Sequence, residues 1–196
     1  TDLSVVNAAR VSFGDEKEEV DDRDIKLINY LIKHNHTSPF EHCAITMRFT
    51  VPLFIRSQHH RHRTWAYNEI SRRYTSVDMR FYEPTEFRSQ HKSNRQASTA
   101  TTINPDLNVE YKSLVPVSPY YASEAVRTHN FKSLSLFESL VNAGVCREQA
   151  RGVLPQNLYT QYYGTVNLHN LLKFVSLKLA LKIQTQGYIY LWALHF

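Results

Sequence analysis

The stretch from Arg61 to Tyr74 sets the strongest limit on what this chain can bury. It reads Arg-His-Arg-Thr-Trp-Ala-Tyr-Asn-Glu-Ile-Ser-Arg-Arg-Tyr, four arginines and a histidine against one carboxylate, Glu69. Gln58, His59 and His60 lead into it. Unpaired charge costs far more in a core than packing returns. The segment must therefore lie on a surface or around a pocket. Solvated faces usually mix Lys, Glu and Gln, whereas here arginine is used almost alone. The planar guanidinium fork fits phosphate or carboxylate oxygens two at a time. Trp65, Tyr67 and Tyr74 add flat faces on which a ring can stack. These residues point to a pocket for an anionic, aromatic ligand such as a nucleotide. The plainer alternative is an exposed basic loop.

Composition supports an acidic ligand. The 196 residues carry a net charge of +5 with a pI near 9.2, which suits nucleotides, nucleic acid or an anionic surface. An apolar content of 42% can support a core, and the length suggests a single domain spanning 1–196. Two cysteines, Cys43 and Cys146, make no disulfide framework and fit a reducing cytoplasm. The sequence reads without a signal peptide or an apolar run long enough to cross a bilayer. It begins at Thr1 rather than Met, as a trimmed start would.

Periodicity predicts a helix from Asp2, as its cap, to about Val11, and an amphipathic helix over 22–34. Pro39 disfavours helix at Ser38. Cys43, Ile45, Met47, Phe49 and Val51 then alternate with polar residues, the pattern of a half-buried strand. Pro52 suits a helix start. A second strand is expected over Thr75 to Tyr82, followed by a long polar excursion over about 85–120. Ser123 to Ala143 and Arg147 to Leu154 read as helical. Leu158 to Val166 reads as a strand, and Asn167 as the cap of a last helix. The fold class is α/β (α+β): one central, mostly antiparallel sheet covered by helices.

The arginine stretch resembles the signature of flavin-dependent thymidylate synthases, Arg-His-Arg-x-x-Ser-x-Asn-Glu-x-Ser-x-Arg. Arg61, His62, Arg63, Asn68, Glu69, Ser71 and Arg73 match it, and Ala66 stands where the family has Ser. The likeness extends to Ala8-Ala9-Arg10-Val11-Ser12-Phe13, to His34-Asn35-His36-Thr37-Ser38-Pro39-Phe40-Glu41-His42, and to Gly144 through Pro155 with Thr165-Val166-Asn167-Leu168. It covers roughly 8–84 and 122–178.

Methylating C5 of uracil requires that carbon to become nucleophilic. A cysteine thiolate adding to C6 is one route, but neither cysteine has the Pro-Cys-His setting of the synthases that use it. Cys43 reads as core. Cys146 sits at a helix start, where a thiolate is favoured, and still reads as structural. The other route is a cation beside the uracil imide, which fits an arginine-rich chain.

The resemblance implies reductive methylation of dUMP to dTMP, with FAD as hydride carrier, methylenetetrahydrofolate as carbon donor and NADPH as reductant. It implies that dUMP meets Gln58, Arg61, Glu69, Ser71, Arg72, Arg73, Lys178 and Arg151, the last from another subunit of a homotetramer. FAD would meet Ser38, Arg61, His62, Arg63, Glu69, Asn167, His169 and Lys173, the last where the family often has Asn. His36 would lie beside the flavin and folate, and Ser12 at the cofactor. The catalytic set is Lys178, Arg73, Ser71 and Glu69. Lys178 stands where the family has an arginine. It keeps the charge and loses the fork. Beyond it the tail departs from the family pattern, so a divergent member with impaired activity is one alternative.

Other readings remain. A basic, aromatic-interleaved segment can bind single-stranded nucleic acid, though Glu69 is out of place on a phosphate-tracking surface. His59, His60 and His62 lack the acidic or thiol neighbours of a metal site, so no metal is expected. Tyr159, Tyr162 and Tyr163 read as core or interface.

Overall fold

The computed structural model describes residues 1–107 and 120–182, with side-chain surroundings given except at Tyr120 and 178–182. The chain groups into two compact units built from interleaved segments. Unit 1 comprises Thr1–Phe49, His62–Asn68 and Tyr163–Leu181. The described part of unit 2 is Thr50–Arg61, Glu69–Tyr162 and Lys182.

Unit 1 opens with helices α1 (Asp2–Arg10) and α2 (Asp22–Lys33). The cap of α1 is Thr1, whose Oγ1 accepts from the Ser4 N–H at 3.4 Å. Asp2, expected as the cap, lies in the first turn, where its charge faces the positive end of the helix dipole. Asp21 caps α2, accepting from Arg23 and Asp24 N–H groups. Val5, Leu31, Phe40 and Cys43 form a buried cluster, with Leu168 packed against it. Cys43 is thus core, as its alternation predicts.

Strand β1 (Ala44–Pro52) alternates in exposure and becomes buried at Phe49, Val51 and Pro52. Its neighbour is β7 (Tyr159–Asn167), which buries Thr160, Tyr162, Gly164 and Val166 on one face. In unit 1 the Leu168 N–H donates to Cys43 C=O at 2.8 Å and the Thr46 and Thr165 hydroxyls meet at 2.9 Å. Residue numbers fall along one strand as they rise along the other, so the pair is antiparallel. Strand β2 (Ala66–Glu69) completes a three-stranded sheet in the order β1-β7-β2. Gly164 has no room for a side chain. A Cβ there would sit 3.0 Å from Phe49 and 3.2 Å from Trp65.

Unit 2 contains α3 (Leu53–His59), preceded by Pro52 as N-cap. The strand expected over Thr75 to Tyr82 is irregular instead, with a turn at Val77 and Asp78 and a bridge between Phe81 and Leu158. The polar excursion is partly ordered. Strands β3 (Phe87–Gln90) and β4 (Ser98–Ile103) pair antiparallel, and β5 (Asp106–Leu107) pairs with β6 (Tyr120–Tyr121). Residues 108–119 of the excursion lie outside the described residues. Helix α4 (Ala122–Asn142) ends before Gly144, whose φ of 89° is the left-handed stop that its position predicts. The Arg147 to Leu154 expectation resolves into α5 (Arg147–Ala150) and a 3₁₀ turn over Arg151–Val153. Helix α6 (Leu168–Lys182) follows β7 as expected, with the Asn167 Oδ1 accepting from the Asn170 N–H at 2.9 Å.

Candidate active site

Unit 2 holds a cavity of about 570 Å³ lined by Leu53, Arg56, Glu69, Ile70, Ser71, Arg72, Glu148, Arg151, Gly152, Leu154, Gln156, Leu158, Tyr159 and Thr160. Four residues assigned to the nucleotide by resemblance, Glu69, Ser71, Arg72 and Arg151, come together on its wall. Arg151 lies beyond α4 in the sequence, far from the other three, and the fold closes that distance. The Ile70 N–H donates to Gln161 C=O at 2.9 Å, which sets the exit of β2 against β7.

Glu69, the last residue of β2, is held tightly. Its Oε1 accepts from Arg56 Nε at 3.0 Å and from the Thr160 hydroxyl at 2.6 Å. Arg72 is committed to backbone: Nη1 donates to Val77 C=O at 2.6 Å, and Nη2 to the Asp78 and Tyr159 carbonyls at 3.3 Å. Burial draws its pKa down, opposed by Asp78 and Glu69. Arg73 pairs with Glu148 at 3.2 Å, both about half exposed. Its backbone N–H donates to Ser71 Oγ at 3.3 Å. Arg151 Nε donates to Glu148 C=O at 3.3 Å. Arg147 reaches Ser76, so α5 grips the turn after the motif. Burial pushes the Tyr159 phenol up, keeping a neutral hydroxyl on the wall.

Gln58 and Arg61 belong to unit 2 but do not line this cavity. His59, which led into the motif, is buried instead, its Nδ1 2.7 Å from the Tyr162 hydroxyl. Burial, aided by Arg56, lowers the His60 pKa against the pull of Glu69. No metal-binding group of His, Cys, Asp or Glu is present among the described residues.

The other flavin-assigned residues fall in unit 1: Ser38, His62, Arg63, Asn167, His169 and Lys173, with His36. His62 meets Phe174 of α6 edge-on at 4.8 Å, and Phe174 meets Trp65 at 5.5 Å. These contacts bring His62 and Trp65 against the helix that carries His169 and Lys173. Trp65 and Tyr67 stack at 6.3 Å, and burial pushes the Tyr67 phenol up to about 12. His36 lies among exposed rings, 6.1 Å from Tyr30 and 6.5 Å from His34. Asn167 spends its Oδ1 on the cap of α6. The Ser12 hydroxyl donates to Ala9 C=O at 3.2 Å. The side chain of Lys178 lies outside the described residues, as does the atypical tail from 183.

Sequence reasoning missed Arg56, Glu148 and Thr160. Arg56 had a signal, a lone cation just after the apolar Leu53-Phe54-Ile55. Thr160 had none, since a threonine in a tyrosine-rich strand reads as ordinary β structure.

A family profile described as thymidylate synthase complementing protein matches residues 1–194. The flavin-dependent thymidylate synthase of Thermus thermophilus is 39% identical over 183 residues, covering 93% of this chain and 62% of that protein. The enzyme of the same name from Thermotoga neapolitana is 39% identical over 177 residues, covering 90% and 71%. The chain therefore spans less than two thirds of the Thermus relative. Among solved structures, the UMP/dUMP methylase PolB of Streptomyces cacaoi, bound with 5-Br dUMP, superposes with a TM-score of 0.68 at 31% identity. That match covers 90% of this chain and 73% of PolB.

Proposed function

The chain belongs to the thymidylate synthase complementing protein family, and from that premise we propose that it is a flavin-dependent thymidylate synthase. Its reaction is reductive methylation of dUMP to dTMP, with methylenetetrahydrofolate giving the carbon and NADPH the electrons. The observation that carries this reading is the unit 2 cavity, where Glu69, Ser71, Arg72 and Arg151 converge. Guanidinium groups suit a phosphate, and the Glu69 carboxylate accepts from a neutral donor such as an imide N–H or a sugar hydroxyl. Arg73 joins them once it leaves its solvent-screened pairing with Glu148. Gln58 and Arg61 belong to the same substrate set by family position.

Lys178 takes the activating role, a cation beside the uracil imide that draws charge off the ring as C5 becomes nucleophilic. No cysteine is needed, since neither Cys43, which is buried, nor Cys146 lines the cavity. A flavin dinucleotide fits the unit 1 donor set. Arg63 and Lys173 are cations for a diphosphate, and His62 is already seated against α6. Ser38, Asn167 and His169 complete that set, with His36 beside flavin and folate, while Arg61 and Glu69, which belong to unit 2, are flavin contacts by family position alone. When bound, FAD supplies the hydride. Neither unit is a continuous stretch, which supports reading 1–196 as one domain. Homotetramer assembly and a cytoplasmic setting belong to the same proposed reading.

The test is direct. The purified protein should be yellow or take up FAD on titration, bind dUMP, and form dTMP with the three co-substrates. A colourless protein that takes up no FAD, yet shifts an oligonucleotide at moderate salt, overturns the reading in favour of nucleic-acid binding.

A further inference from the structure

We infer that Arg56 and Thr160 are positioning residues that clamp one oxygen of Glu69 and thereby aim the other at the nucleotide; this rests on the function proposed above. Both donors converge on Oε1, Arg56 Nε at 3.0 Å and the Thr160 hydroxyl at 2.6 Å. Among the described residues Oε2 has no protein partner, and Glu69 lies on the cavity wall.

The arrangement answers a mechanical difficulty. The terminal torsion of a glutamate is broad and roughly two-fold. An unrestrained carboxylate would swing, and its ligand would bear the cost of ordering it. Here three elements meet at one atom: α3 brings Arg56, β2 ends at Glu69, and β7 brings Thr160. Thr160 is only 3% exposed, so its hydroxyl is a largely desolvated donor. With Oε1 occupied twice, Oε2 is the acceptor left for the substrate. The ligand chemistry is a neutral N–H or O–H of the nucleotide, and the clamp decides where that acceptor stands before the nucleotide arrives.

The test separates this role from packing. Equilibrium dUMP binding is measured on the FAD-loaded full chain for Thr160→Ser, Thr160→Val and Glu69→Gln, and for Glu69→Gln combined with Thr160→Val. Serine keeps the hydroxyl and loses the methyl, whereas valine keeps the shape and loses the hydroxyl. A hydrogen bond to a charged group is strong enough that Thr160→Val should weaken binding by about tenfold or more. Thr160→Ser should stay within about twofold, and Thr160→Val should cost little more once Glu69 is already Gln. Arg56→Gln, at a half-buried position, runs through the same cycle and serves if the Thr160 variants do not fold. The reverse order, serine worse than valine with additive losses in the Glu69→Gln chain, overturns the clamp. Wild-type protein that binds dUMP as well as Thr160→Val and Arg56→Gln also overturns it and leaves the proposed function standing. Wild-type protein that takes up FAD but no dUMP overturns both.

Discussion

Arg72 and Arg73 are neighbours in the motif with different duties. Arg72 gives both terminal nitrogens to carbonyls of Val77, Asp78 and Tyr159, so it shapes the wall. The Arg73 side chain, among the described residues, makes an exposed pairing with Glu148, which is worth about 0–1 kcal/mol. Glu148 also places negative charge on the cavity wall, which the proposed function makes the wall that the dUMP phosphate approaches. Glu148→Gln should therefore tighten dUMP binding by up to about fivefold at low salt. The gain should shrink as added salt screens the carboxylate it removes. Calorimetric titration at two ionic strengths measures this, and unchanged or weaker binding at low salt sinks it. The family resemblance assigned both arginines to the nucleotide. It could not say which nitrogens were already spent, because those carbonyls come from a turn and a strand whose placement depends on the whole fold.

At the scale of elements, α1 and α2 are braced by one carboxylate. The Asp24 side chain is fully buried, with Oδ1 2.7 Å from Arg10 and Oδ2 2.6 Å from Lys17. The Lys17 ammonium, the Asp21 backbone and Arg10 together hold the Asp24 carboxyl well below the usual carboxylate range, against the opposing effect of burial. The folded state thus resists protonation that the unfolded chain accepts at about pH 4. The stability this contributes is fully present above that value and is lost as pH falls below it toward the depressed folded value. Asp24→Asn should lower Tm at neutral pH by more than Asp21→Asn, whose side chain is half exposed. The gap between wild type and Asp24→Asn should narrow on acidification below about pH 4. Thermal melts from pH 7 to pH 3 check both statements. Helix α2 was legible because its apolar residues recur at helical spacing and Asp21 is a good cap. Strand β2 was not. Ala66-Tyr67-Asn68-Glu69 has no apolar alternation, and it becomes a strand through its pairing with β7. The stretch Thr75 to Tyr82 misled for the opposite reason. Its Thr, Val, Phe and Tyr favour strand locally, but Arg72 and Arg147 hold its first residues as a turn, and Asp78 takes a φ of 53° that no strand allows.

For the whole molecule, the make-up of each site turns on which chain supplies Arg151. The resemblance takes Arg151 from a neighbouring subunit. In the structure the chain's own Arg151 lines the cavity that holds Glu69, Ser71 and Arg72, and Glu148, one turn from it, pairs with Arg73. Helix α4 exposes Phe131 and Leu136, and α6 exposes Leu172, Val175 and Leu177. Apolar side chains left open in this way suit burial between copies of a homo-oligomer. Assembly and site composition are separate matters, however, and a mixing experiment divides them. If Arg151 and Arg73 act in the same chain's cavity, every site in an oligomer mixed from Arg151→Ala and Arg73→Ala chains lacks one of the two. Activity should then stay as low as in either parent, even when mixed oligomers are shown to form. If Arg151 instead crosses a boundary, some mixed sites receive both intact residues, and dTMP formation returns to a fraction of wild type. Recovery of activity would move Arg151 into a neighbour's pocket. Its absence would make the cavity of unit 2 a substrate wall built by one chain.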